Sequence, residues 1–177
     1  MKEDTGLAER LVGLRDLFDR SFVEPPRERV AVAEDLLAVR TGGRRYALRL
    51  AQTDGVFPER PLMPLPGPVP GLLGLAGFRR TIVPVYDLGA VLGNASQTTP
   101  RWLVLVAGAP PVAVAFDELD GHLRVPADVV VPEAEARACL SGLVRLPDGP
   151  RPIVDLGAVR ATIQGMTDPP GRSGGTR

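Results

Sequence analysis

One stretch of the sequence occurs twice, and this internal repeat limits the fold more than any other feature. The first copy, residues 74–91, passes through two arginines and a β-branched segment to an Asp-Leu-Gly-Ala-Val motif. The second copy, residues 142–159, ends in the same five residues at an offset of 68. Upstream, Gly42, Ala47, Asp54 and Gly55 recur at an offset of 66 as Gly108, Ala113, Asp120 and Gly121. Two copies are too few for a solenoid, so the repeat predicts a pseudo-symmetric pair of small β units.

The residues within and between the copies favour short strands separated by turns. Residues 81–85 form a β-branched segment that predicts a buried strand, because branched side chains suit a pleated surface. Pro84 lacks an amide donor, which places it at an edge or a bulge of that strand. Hairpins are predicted around Gly42-Gly43 and around residues 108–110. Many short strands without a long central helix predict an all-β fold of compact barrels.

Composition and charge argue against several classes of protein. The net charge is zero and aromatic residues make up 5% of the chain, so a nucleic-acid-binding barrel is disfavoured. Cys139 is the only cysteine, which excludes an internal disulfide and fits a reducing compartment. The first residues have no apolar signal core, and no segment reaches the roughly 20 apolar residues that span a bilayer. We therefore expect a cytoplasmic protein.

The two ends of the chain differ in composition from its body. Residues 1–33 are predicted to form an amphipathic helix and a linker, with the helix over residues 5–20. That helix either docks on the body or a partner, or is a loosely packed, partly frayed leader. Residues 34–163 form the predicted β body. Residues 164–177 are rich in Gly, Pro, Ser and Thr, and we expect them to be disordered.

Few residues are suited to catalysis or metal binding. His122 is the only histidine and is expected in a surface turn, while Cys139 has apolar neighbours and is expected to be buried. A tetrahedral metal site needs several such ligands, so we expect no metal and no cofactor. Asp87 and Asp155 form the one plausible acid–base pair. Their identical contexts favour two helix caps instead, because a catalytic pair needs two different environments.

Arg79 and Arg80 stand next to each other between a glycine-rich segment and the predicted buried strand. A solvated surface pair is one interpretation of these two arginines. The other is a tight bend that presents a guanidinium rigidly to a partner.

The order of these motifs resembles the signature of CheW-like chemotaxis coupling proteins. That signature has a Leu-Gly segment that ends in arginine, followed by an apolar strand with proline and a final Asp-Leu. The segments that match it are residues 43–48, 73–79, 82–88, 116–119 and 142–156. The resemblance extends over about residues 34–163, nearly the whole body.

The resemblance implies two SH3-like β-barrel subdomains with a shared core and a non-enzymatic role. Such proteins couple the cytoplasmic tips of chemoreceptors to a CheA-type sensor histidine kinase in clustered arrays at the membrane. Receptor helices are expected in a groove between the barrels, and the kinase regulatory domain is expected against one barrel. Gly74 and Arg79 match receptor-binding positions, and Arg80 adjoins them.

The sequence departs from the family pattern where the kinase contact is implied. The family's Val-x-Glu-Ile strand falls on residues 53–56 if no gap is allowed, so the kinase-binding positions are Thr53, Gly55 and Val56. Thr53 and Gly55 differ from the pattern. Either the chain is an auxiliary coupler that has lost strong kinase binding, or the true alignment is shifted by a residue or two.

Overall fold

This computed structural model describes residues 33–66, 69–132 and 139–167. These residues contain two β-sheets and two α-helices. The predicted N-terminal helix lies outside these residues. The strands, in chain order, are β1 (Ala33–Thr41), β2 (Arg44–Arg49), β3 (Thr53–Pro58), β4 (Leu72–Phe78), β5 (Thr81–Asp87), β6 (Trp102–Val106), β7 (Val112–Phe116), β8 (Glu118–Pro126), β9 (Val130–Pro132), β10 (Leu140–Leu146) and β11 (Gly149–Val154). The helices are α1 (Leu88–Val91) and α2 (Leu156–Thr167). The predicted all-β fold of two units is confirmed.

The two sheets exchange hairpins, so neither sheet coincides with one copy of the repeat. The six-stranded sheet has the order β8-β1-β2-β11-β10-β9, and the five-stranded sheet has the order β3-β6-β7-β5-β4. The hairpin β1-β2 of the first copy therefore joins strands of the second copy, and β6-β7 joins strands of the first. Each exchanged hairpin is held on one side by an antiparallel pairing, β1 with β8 or β6 with β3, and on the other by a parallel pairing. The parallel pairings join Ala47 with Ile153 and Ala113 with Val85. These residues occupy equivalent positions in the two copies.

A single apolar cluster joins both sheets and both helices, which confirms the shared core that the family resemblance implied. Phe116, Leu88 and Leu156 are fully buried in it, with side chains of both hairpins around them. Each sheet also encloses a smaller cluster of its own. The buried members of the shared core are Leu37, Val39, Tyr46, Leu48, Tyr86, Leu88, Val104, Val106, Val112, Val114, Phe116, Cys139, Val154, Leu156, Val159 and Ile163.

The central strand β7 separates the shared core from the smaller cluster of the five-stranded sheet. All five of its residues are buried. Val112, Val114 and Phe116 belong to the shared core, and the small Ala113 and Ala115 belong to the other cluster. Alternate residues of a strand point to opposite faces, so this Val-Ala-Val-Ala-Phe segment packs against apolar residues on both sides.

Pro84 does not lie at an edge or a bulge, and that prediction was wrong. Pro84 belongs to β5 and pairs with Leu75 of β4. Strand β5 is an interior strand between β4 and β7. The parallel pairing with β7 begins only at Val85, one residue later. The missing amide is tolerated because the proline lies just before the doubly paired part of the strand.

Both aspartates of the repeated Asp-Leu-Gly-Ala-Val motif cap helices, as predicted. Asp87 accepts a hydrogen bond from the amide of Gly89 (2.8 Å) at the start of α1, and another from the amide of Ser96 (3.1 Å) in the segment after this helix. Asp155 accepts from the amides of Gly157 (2.9 Å) and Ala158 at the start of α2. A carboxylate in this position satisfies amides that have no partner within the helix.

Helix α2 continues to Thr167, four residues beyond the predicted end of the body. Val159 and Ile163 are buried in the shared core one turn apart. This packing holds the last turns in place, so Gly165 is tolerated inside the helix. Residues 168–177 of the predicted tail lie outside the described part of the chain.

The cap of α2 gives a first test of this arrangement. Asp155→Ala is expected to lower the free energy of unfolding by roughly 1–2 kcal/mol, because two helix amides and Gln52 lose their acceptor. Asp128→Ala, at an exposed carboxylate, is the matched control and should cost less than about 0.5 kcal/mol. Urea denaturation measures both variants, and equal losses would contradict the capping role.

Candidate partner-binding surfaces

The β4–β5 turn presents the two predicted arginines to solvent. Arg79 and Arg80 are exposed and form the two-residue connection between Phe78 and Thr81, which pair with each other. Arg79 has a φ of 55°, a left-handed conformation that is unfavourable for a residue with a side chain. Among the described residues, no carboxylate lies within 4.0 Å of either guanidinium.

An apolar strip formed by Gly77, Ile82 and Pro84 follows this turn along one face of β4 and β5. Ile82 is 69% exposed, the largest exposed fraction among the exposed large apolar side chains of the described residues. It pairs with Gly77, which is also exposed, and an added Cβ at Gly77 would meet no atom within 4 Å. The next residue on the same face of β5 is the half-buried Pro84, followed by Tyr86 in the shared core. The strip therefore extends the shared core out to solvent.

Gly74 is covered by the backbone of the segment around Met63 and does not lie at the surface. It is buried, and its φ is 146°. A Cβ at this position would come 2.5 Å from the carbonyl oxygen of Met63. The backbone of Met63 is joined to that of Leu75 by two hydrogen bonds of 2.8 Å, one in each direction. The absence of a side chain at Gly74 therefore allows the segment around Met63 to cover the edge of β4.

The residues with the predicted kinase role lie on β3, an edge strand of the five-stranded sheet. The Thr53 hydroxyl donates a hydrogen bond to the carbonyl oxygen of Leu50 (2.9 Å), and Val56 packs partly against the shared core. Gly55 has a φ of 152°, and a Cβ there would lie 2.8 Å from the ring of Phe57. This backbone conformation favours glycine at position 55.

The start of β3 and the β4–β5 turn meet at one surface opening, which we call the Asp54 opening. It has a volume of about 430 Å³. Asp54 and Arg79 both line it, although the sequence alone did not place these two residues together. Its lining residues are Asp54, Phe57, Phe78, Arg79, Thr81, Val83, Leu105 and Pro111. The one sequence signal for Asp54 was its recurrence as Asp120.

An aromatic pair supports the floor of this opening. The rings of Phe57 and Phe78 meet edge to face with centroids 5.1 Å apart. The Arg60 guanidinium carbon lies 4.7 Å from the first ring centroid and 5.1 Å from the second. Arg60 also donates to the carbonyl oxygen of Gly77 (3.0 Å). These contacts connect β3 to the end of β4 and hold the rings in place.

The equivalent end of the six-stranded sheet carries a group of ion pairs, the Arg151 cluster, formed by Arg40, Arg45, Asp120, Asp148 and Arg151. The Arg151 side chain is 6% exposed and donates to Asp120 (2.8 Å) and Asp148 (2.7 Å). Arg40 lies 3.0 Å from Asp120, and Arg45 lies 3.3 Å from Asp148.

Protonation of the Arg151 cluster reflects these contacts. Burial would raise the pKa of Asp120, but the hydrogen bonds from Arg151 and Arg40 outweigh it and hold the pKa below its ordinary value. The hydrogen bond from Arg151 is the main reason that the pKa of Asp148 is also lowered. Both carboxylates are therefore stabilised in their charged form.

The residues considered for catalysis are engaged elsewhere or exposed. Asp87 and Asp155 serve as helix caps. His122 is exposed, as expected, but it lies within strand β8 and not in a turn, with Nε2 2.9 Å from Asp35. Cys139 is buried, as predicted.

Within residues 33–66, 69–132 and 139–167, no group of three or more His, Cys, Asp or Glu side chains is placed to hold a metal ion. No helix in these ranges is long and apolar enough to cross a membrane.

Comparisons with known proteins agree with this geometry. A family model described as the CheW-like domain matches residues 35–163. The match extends over most of the chain, so the chain belongs to the CheW-like domain family. Solved structures with the same fold include the scaffolding protein TtCheW from Thermoanaerobacter tengcongensis, with a TM-score of 0.63 and 15% sequence identity. That match covers 70% of this chain and 90% of TtCheW. No curated protein sequence matches the chain.

The backbone at Gly55 leads to a prediction about stability. Gly55→Ala is expected to lower the free energy of unfolding by on the order of 1–3 kcal/mol, because alanine is strained at this φ and contacts the Phe57 ring. Gly77→Ala is the matched control, since position 77 has free space and no positive φ, and it should be neutral or stabilising. Similar losses in the two variants, measured by urea denaturation, would show that the φ of Gly55 is not the cause.

The Arg151 cluster leads to a prediction about acid stability. The pKa of Asp120 is lower in the folded state than the ordinary value of 3.8, so its contribution is complete above that value and is lost as the pH falls through the folded-state pKa. Asp120→Asn should therefore be less stable than the wild type near neutral pH, and the difference should shrink as the pH falls below 3.8. Urea denaturation across this range, with Asp128→Asn as control, measures the difference. A difference that grows in acid would contradict the prediction.

Proposed function

We propose that this protein is a non-enzymatic adaptor that couples chemoreceptors to a sensor histidine kinase in a chemotaxis-type array. Membership of the CheW-like domain family over residues 35–163 is the observation that carries the proposal. On this proposal the protein is cytoplasmic and is recruited to membrane-associated receptor clusters. Each contact is weak on its own, and the clustered array raises the effective concentration of its partners.

The proposed receptor surface consists of the β4–β5 turn and the apolar strip beside it. Arg79 and Arg80 are exposed without an ion-pair partner among the described residues, and Ile82 adds apolar area next to them. An amphipathic helix of a receptor tip fits such a surface if it places an apolar side chain against Ile82 and acidic groups near the arginines.

Two properties of individual residues support this location. Arg79 keeps a left-handed backbone although glycine would be favoured there, and strain of this kind is concentrated at functional sites. Gly74 acts on the surface indirectly in this proposal, because it positions the Met63 segment against β4 and exposes no side chain.

The proposed kinase surface is the edge strand β3 with Thr53, Gly55 and Val56. A second candidate function, an auxiliary coupler with weakened kinase binding, is favoured by two observations on this strand. The Thr53 hydroxyl is bonded to Leu50, and position 55 has no side chain to offer a partner. Titration of a purified kinase regulatory domain separates the two. Micromolar or tighter binding supports the full coupler, and much weaker binding supports the auxiliary one.

Arg79 provides the test of the receptor surface. Arg79→Gly is expected to raise the free energy of unfolding by roughly 1 kcal/mol, because it removes the left-handed strain, while receptor binding falls. Arg79→Glu should abolish co-sedimentation with receptor-containing membranes and change the free energy of unfolding by less than about 0.5 kcal/mol. Arg124→Glu, at another exposed arginine, is the control and should co-sediment like the wild type.

The outcomes are separable. If Arg79→Gly destabilises the protein, the turn does not carry the inferred strain. If Arg79→Glu co-sediments like the wild type, the receptor contact lies elsewhere. If the wild-type protein does not co-sediment with receptor-containing membranes at all, the receptor part of the proposed function is refuted.

A further inference from the structure

The two ends of the pseudo-symmetric fold have matching backbones. Asp54 lies at a register shift between β3 and β6, and Asp120 lies at the corresponding shift between β8 and β1. The glycines that follow them, Gly55 and Gly121, have φ values of 152° and 151°. Each bulge therefore places an aspartate at the same position relative to its own sheet.

The side chains at these two ends differ in one decisive respect. At the end of the six-stranded sheet, Arg151 fills the space beside Asp120 and donates to it at 2.8 Å. Its equivalent in the first copy, 68 residues earlier, is Val83, which lines the Asp54 opening. Valine is shorter and carries no donor. The five-stranded sheet therefore has an opening where the six-stranded sheet has a buried guanidinium.

The charges around the opening are also not compensated within it. In the described part of the chain, no arginine or lysine nitrogen lies within 4.0 Å of Asp54. Asp148, the second acceptor of Arg151, corresponds to Arg80 in the first copy. One rim of the opening thus carries a carboxylate, and the adjacent turn carries two guanidinium groups.

We propose that the Asp54 opening receives an arginine side chain of the kinase regulatory domain, which pairs with Asp54 as Arg151 pairs with Asp120. This inference rests on the proposed function and names the chemistry of its kinase contact. The guanidinium fits because it is planar and donates to a carboxylate through two nitrogens.

This inference also assigns a different carboxylate from the one that the family pattern suggested. The pattern places an acid at position 55, where the backbone favours glycine. Asp54 is the exposed bulge residue immediately before it. A kinase contact that uses Asp54 therefore does not require a side chain at Gly55.

The first arm of the test removes the charge of Asp54. Asp54→Asn keeps the shape of the side chain, and we expect it to raise the Kd for the purified kinase regulatory domain at least about tenfold. Asp128→Asn is the matched control and should bind like the wild type. Isothermal titration calorimetry with full-length protein measures all three.

The second arm supplies the arginine within the chain itself. The double variant Val83→Arg with Arg80→Asp reproduces the arrangement of Asp120, Arg151 and Asp148 around Asp54. It should close the opening and weaken kinase binding at least about tenfold while it keeps a cooperative thermal transition. Val131→Arg, at an exposed position of β9, controls for the added charge.

Each result has a defined consequence. If the wild type binds and Asp54→Asn binds equally well, the inference about the arginine is overturned and the proposed function stands. If the double variant folds and binds like the wild type, the inference is overturned in the same way. If the double variant does not fold, Asp54→Asn alone decides. If the wild type does not bind the kinase domain, the kinase part of the proposed function and this inference both fail.

Discussion

The apolar cluster shared by the two sheets is the constraint on which the rest of the structure depends. Hairpin β1-β2 completes the sheet that contains β10 and β11, and hairpin β6-β7 completes the sheet that contains β4 and β5. Side chains of both exchanged hairpins are buried in this cluster. Burial of apolar surface contributes about 25 cal/mol per Å², so a cluster of this size is a major source of stability. Neither copy of the repeat encloses this cluster alone, and the two copies are expected to fold as one cooperative unit.

The shared core also positions the surfaces that face partners. One face of β5 runs from Tyr86, which is buried in the shared core, through Pro84 to the exposed Ile82. The turn with Arg79 and Arg80 therefore stands at the end of a strand that is fixed at its other end by the core and by the Asp87 cap. A strained backbone conformation such as that of Arg79 persists because its surroundings are rigid.

Pseudo-symmetry makes the differences between the two copies informative. The backbone repeats closely, as the two bulges and their glycines show. Val83 and Arg151 occupy equivalent positions, and this difference distinguishes an open end from an end that is closed by the buried Arg151 side chain and its ion pairs. A buried ion pair adds little net stability on its own, because desolvation offsets much of the attraction. The Arg151 cluster is better understood as closing one end of the molecule.

The sequence by itself determined the local features. Strand and turn residues predicted the all-β class, and the repeat predicted two related units with capping aspartates at Asp87 and Asp155. These depend on interactions between neighbours in the chain. Only the tertiary structure decided which hairpin joins which sheet, that Pro84 lies in an interior strand, and that Asp54 and Arg79 line one opening. Pairing between distant strands sets these features, and sequence periodicity carries no information about which distant strands meet.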